Sequence, residues 1–219
     1  MECLLRGEGG GVDMIVAPKF DMIKEHKYNY PTALCCIVFA PKFHTTGYHD
    51  IMGRVEYLNC RSDQYIQFYC AGYGAYWNEL YAPDMEPLNI HSNTPWAFSQ
   101  RFYASFVNEV ENNTRWEYSG GSELILLDAN LDFSKCLIFH LDKLLKDNLI
   151  THINELLEEL IRYAKSEHKI KDIQKALLKR SIVSSAHGIA KNILPEWSKT
   201  LLEKFQEGKH YILKDLSLK

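Results

Sequence analysis

A chain of 219 residues, 46% hydrophobic and 24% charged, has the make-up of one domain with a real core and room for a helical appendage. Thirteen Tyr, ten Phe and four Trp argue against disorder over most of the length, and no apolar stretch approaches the roughly twenty residues needed to span a bilayer. Net charge is −3, yet residues 165–219 hold twelve Lys/Arg against six Asp/Glu, so residues 1–164 carry −9. That asymmetry suits a lysine-rich solvated helical face, or a basic surface for nucleic acid or an acidic partner.

The opening "MECLLRGEGGGVDM" lacks the apolar segment of a signal peptide, and Gly9–Gly11 reads as a flexible leader. Residues 1–14 are therefore set apart from an expected mixed α/β core over 15–165 and a helical, basic C-terminal region over 166–219. Cys3, Cys35, Cys36, Cys60, Cys70 and Cys136 form no CxxC and no His/Cys ladder. Such spacing fits neither a zinc site nor a disulfide-stapled secreted domain, which implies reduced thiols in a cytosolic protein.

In chain order, "ALCCIVFA" (33–40), bounded by Pro31 and Pro41, predicts a buried central strand. "RVEYLNC" (54–60) and "YIQFYC" (65–70), joined by "RSDQ", predict an antiparallel hairpin. Pro83, Pro87 and Pro95 predict a loop over 81–95. Ser99 is placed to cap a helix running to about Glu111, with Phe102, Phe106 and Val110 on one stripe. Strands follow at 123–129 and 135–141. Thr151 then opens a helix whose one face carries Ile153, Leu156, Leu157, Leu160, Ile161 and Ala164, opposite Glu155, Glu158, Glu159 and Arg162. Helices are expected at 169–193 and 195–207, and the last residues form an edge strand or a frayed tail. The fold class is α/β or α+β, a mixed sheet flanked by helices.

Four features bear on chemistry. Gly72 and Gly74 follow a strand and offer backbone amides to a phosphate, but the dinucleotide fingerprint needs a third glycine where Trp77 stands. A sharp exit from the sheet is the preferred reading. His44, His49 and Asp50 lie in a loop with no regular structure to fix metal-ligand spacing. Lys171, Lys175 and Lys179 recur every four residues along one helical stripe, where a phosphate backbone would be held in a salt-dependent way.

The fourth feature is residues 106–143, where a helix with Glu109 and Glu111 leads through Gly120–Gly121 to a strand opening at Glu123. A second strand ends in "HLDK" (140–143). Over less than a fifth of the chain this order resembles the PD-(D/E)xK nuclease core. The resemblance implies Glu109 as the helix acid, Glu123 as the strand acid, and Asp142 with Lys143 as the second cluster. Glu123 and Asp142 would then hold Mg²⁺. The family pattern puts one residue between acid and lysine, whereas Asp142 and Lys143 are adjacent. Asp128 and His140 are substitute ligands.

Two functions are carried forward. One is a cytosolic non-catalytic subunit or adaptor that assembles with a protein partner, or with itself, through oppositely charged surfaces. The other is a Mg²⁺-dependent nuclease or nucleotide-processing enzyme built on 109–143, its C-terminal lysines holding nucleic acid. Neither requires a membrane.

Overall fold

The structure, a computed structural model, describes residues 17–44, 46–62, 64–75, 83–90, 95–148, 150–165 and 211–219. The expected leader, the helices over 169–193 and 195–207, and Lys171, Lys175 and Lys179 lie outside the described residues.

The fold is α/β. Its main sheet runs β2-β1-β6-β7-β8, where β1 is Leu34–Phe39, β2 Ile66–Cys70, β6 Glu123–Leu127, β7 Cys136–His140 and β8 Tyr211–Lys214. β1 pairs parallel with β2 and antiparallel with β6; the β6–β7 and β7–β8 pairs are antiparallel. A second sheet, β3-β5-β4, joins Tyr73–Ala75, Trp96–Ser99 and Met85–Pro87. β1 lies between two strands and is buried along its whole length, as its unbroken apolar run requires.

Helices α1 (Phe20–Asn29) and α3 (Gln100–Asn113) cover one face of the main sheet. Phe106 of α3 stacks on Phe39, and His26 of α1 reaches Tyr69 at 3.0 Å. That leaves the face with Leu34, Cys36, Leu124 and Leu126 to α2 (Val55–Ser62) and α5 (Ile153–Lys165), which pack on each other and are tied by Arg61 and Glu158 at 3.3 Å. Ser99 caps α3 as expected, its hydroxyl accepting from the Phe102 N–H at 3.1 Å. The buried stripe of α3 is Tyr103, Phe106, Val107 and Val110, one residue round from the expected one, with Phe102 only partly covered.

α5 buries Ile153, Leu156, Leu157, Leu160 and Ile161 as its period demands. Its other face is less open than expected. Glu155 and Arg162 are exposed, but Glu158 and Glu159 are partly covered. Thr151 meets Glu155 rather than a helix amide: its N–H and hydroxyl both donate to that carboxylate. No helix among the described residues is long and apolar enough to cross a membrane.

Two expectations fail. Residues 54–60 are not the first arm of a hairpin: Arg54 ends a 3₁₀ turn (Met52–Arg54) that follows a π-helical turn (Thr46–Ile51), and the rest belong to α2. Leu58 and Ser62 are buried four residues apart while Tyr57 stays exposed, which is helical and not alternating burial. The topology shows why. β2 lies parallel to β1, and parallel neighbours need a crossover, which α2 supplies. The second failure lies within 81–95, where Met85–Pro87 forms a short edge strand despite its proline. α1 has no counterpart in the sequence reading, because only Phe20, Ile23 and His26 of its ten residues are buried.

Cys35, Cys36, Cys70 and Cys136 are free thiols. Burial pushes all four above their ordinary range, Cys70 to about 12, so they behave as small apolar core residues rather than nucleophiles. Cys3 lies outside the described residues, and Cys60 on α2 is not among the free thiols, so the expectation of reduced thiols holds for these four alone.

Candidate functional site

β1 ends, β6 begins and β7 ends at the same edge of the core. The register sets Phe39 beside Glu123, and Glu123 beside His140. The chain leaves β1 through Pro41–His44 toward α2, while it reaches β6 from α3 on the opposite face. The two connections thus leave this end of the sheet toward opposite faces. A hydrogen bond between His44 Nδ1 and Ser122 Oγ, 3.1 Å apart, ties the two connections together.

Each predicted acid has a structural partner. Glu109 lies at the far end of α3, where Oε2 accepts the Phe20 N–H at 2.8 Å and so caps α1, whose own N-cap residue Lys19 makes no side-chain bond. Glu111 accepts the Tyr118 N–H at 2.8 Å. Glu123 is only 2% exposed; it accepts from Trp116 Nε1 at 3.1 Å and faces His140 Nδ1 at 3.2 Å. A carboxylate this buried is stable because both oxygens are bonded. Asp142 accepts the Ser122 N–H at 2.6 Å. Asp128 folds back on the amides of Asn130 and Asp132, at the opposite end of β6 from Glu123.

Asp142 and Lys143 do not lie on a strand. They belong to the short helix α4 (Leu141–Lys146), where Lys143 is exposed and successive residues turn about 100° apart. Among the described residues no group of three or more His, Cys, Asp or Glu is placed to hold a metal ion. The four-residue set Glu109, Glu123, Asp142 and Lys143 is thus divided: Glu123 and Asp142 share one end of the sheet, Glu109 serves α1, and Lys143 points to solvent.

Gly72 sits in the turn joining β2 to β3, with φ +76. A Cβ there would meet Phe98 Cε2 and Tyr103 Cβ at 2.8 Å and Ser99 O at 2.9 Å. Gly74 lies within β3, opposite Ala97. The pair lets the chain pass from one sheet to the other, and the segment after the turn is a strand, not the helix a phosphate loop requires.

His44 was the residue hardest to value from sequence. Its Nδ1 faces Ser122 Oγ and, at 3.7 Å, Asp142 Oδ2. Nε2 has no partner among the described residues. Tyr103 donates its hydroxyl to that of Tyr118 at 2.7 Å. Burial raises both phenols, and the Glu123 and Asp142 charges oppose ionisation of Tyr118 further, so both remain protonated donors. The signal for His44 was its place just after the end of a buried strand. No protein-family model matches the chain, and no curated protein or solved structure matches it either.

Proposed function

We propose that the protein is a non-catalytic cytosolic subunit that assembles through oppositely charged surfaces, and that its partner is a second copy of the chain. One observation carries this choice over the nuclease reading: Glu109, Glu123 and Asp142 are each already bonded inside the protein. The charge layout supplies the assembly. A chain with −9 over residues 1–164 and +6 over 165–219 is complementary to itself.

Light scattering on the purified protein tests it. At about 20 mM salt the mass should be a multiple of 25.4 kDa, falling to the monomer near 0.5 M as screening shortens from ~20 Å to a few ångströms. A monomer at every salt concentration overturns the proposal.

The nuclease alternative is tested separately with Glu123→Gln. In the subunit reading the wild-type protein cuts neither DNA nor RNA with Mg²⁺, and the variant is equally inert. It loses about 1–3 kcal/mol, because a charge-assisted bond to His140 becomes a neutral one. Mg²⁺-dependent cleavage abolished by Glu123→Gln, with folding intact, would establish the enzyme instead.

A further inference from the structure

We propose that α1 is a latch released by acid: protonation of His26 detaches this helix from β2 while the rest of the main sheet stays folded. The latch is independent of the assembly proposed above. His26 is 0% exposed and bonded at both ring nitrogens. Nε2 lies 2.9 Å from the Ala33 carbonyl, which only accepts, so Nε2 carries a proton. Nδ1 of the neutral ring is then an acceptor, and it takes the Tyr69 hydroxyl at 3.0 Å. One imidazole thus joins α1 to the start of β1 and to β2.

No neighbouring group among the described residues can neutralise a charge on that ring. Its aromatic contacts are Tyr69 and Tyr30, at 5.8 and 5.6 Å between ring centroids, and Tyr69 has the Cys35 thiol of β1 as a further titratable neighbour. Phenols and thiols are uncharged below pH 7, and burial raises Tyr69 and Cys35 further. The charged side chains of α1 itself, Asp21, Lys24, Glu25 and Lys27, are exposed. On α3, Glu109 bonds the Phe20 amide, about 9 Å back along α1 from His26, and Glu111 bonds Tyr118. His44, His140 and His152 each face a carboxylate, a partner that His26 lacks among the described residues.

Burial therefore holds His26 below its ordinary value of 6.5, and the Ala33 bond offsets this only in part. A detached ring titrates at the ordinary value, so the open form binds more protons as the pH falls. Docking of α1 is fully stable above about pH 6.5 and weakens below it, until the docked ring itself takes up a proton. Little else holds the helix. Of its ten residues only Phe20, Ile23 and His26 are buried, and a helix of that length does not persist alone in water. Detachment thus unfolds α1 and uncovers Phe20, Ile23 and the Tyr69 side chain on β2, a strand at the edge of the main sheet.

Hydrogen exchange of the full chain, read by peptide mass spectrometry at pH 7 and pH 5 and corrected for intrinsic rates, tests the latch. Amides of α1 should exchange about tenfold faster at the lower pH, with those of α5 unchanged. His26→Gln keeps a side-chain N–H for the Ala33 carbonyl and cannot take a charge, so α1 should then open equally at both pH values. If that variant does not fold, the wild-type ring carries the test. By NMR, His26 should hold its proton on Nε2 and stay neutral until the pH is below 6.5. Four results would each overturn the proposal: equal protection of α1 at both pH values, loosening of α1 and α5 together, an undiminished pH response in His26→Gln, or charging of His26 at or above pH 6.5.

Discussion

Leu157→Ala is expected to destabilise the protein by about 2–5 kcal/mol, seen as a lower urea midpoint. Leu157 is fully buried on α5 beside Ile153, Leu156, Leu160 and Ile161, and truncation leaves a cavity in the layer under the sheet. The loss cannot come from the helix itself, since alanine is the better helix former. Thirteen residues are also too few to hold a helix in water alone, so α5 exists because its apolar face is covered. Arg162→Ala, on the exposed face and bonded to Glu159 at 3.0 Å, should change stability by less than about 0.5 kcal/mol. A Leu157→Ala loss below about 1 kcal/mol would mean that α5 is not packed on the core.

The same contrast explains which parts of the fold were legible in the sequence. α5 and β1 were, because each needs a pattern long enough to be unambiguous: five buried positions at helical spacing in one, six consecutive buried residues in the other. α2 was not. Its eight residues carry polar and apolar side chains in an order that also satisfies alternation, and only the parallel pairing of β2 with β1, a contact across more than thirty residues, decides for helix. α1 failed for another reason, since its burial rests on Phe20, Ile23 and His26 alone.

The candidate site divides along the same line. Its acids were visible as residue types, but their work was not. That Glu109 caps α1 depends on a contact 89 residues away, and that Glu123 is buried depends on Trp116 and on the register with His140. His44 became a site residue only through Ser122, 78 residues further on. Local sequence carries propensity; it does not carry the long-range contact that turns a side chain into a cap, a buried ion pair or a ligand.

Gly72→Ala is the other substitution with a large expected effect, about 2–5 kcal/mol from two separable causes. The left-handed backbone, φ +76, costs an L-residue about 1–2 kcal/mol. The new methyl must also enter space held by Phe98, Tyr103 and the Ser99 carbonyl, all within 2.9 Å, and overpacking of that kind costs about 1–3 kcal/mol. The turn cannot retreat to relieve it, because the Gly72 carbonyl accepts the Ser99 N–H at 2.9 Å. Gly120→Ala isolates the first cause: φ there is +85, but the side chain would enter open space, so only the backbone cost of about 1–2 kcal/mol remains. Equal losses in the two variants would show that the crowding at Gly72 relaxes freely. The strain at Gly72 should also loosen the end of β1, because the next residue, Tyr73, donates its hydroxyl to the Ala40 carbonyl at 2.8 Å.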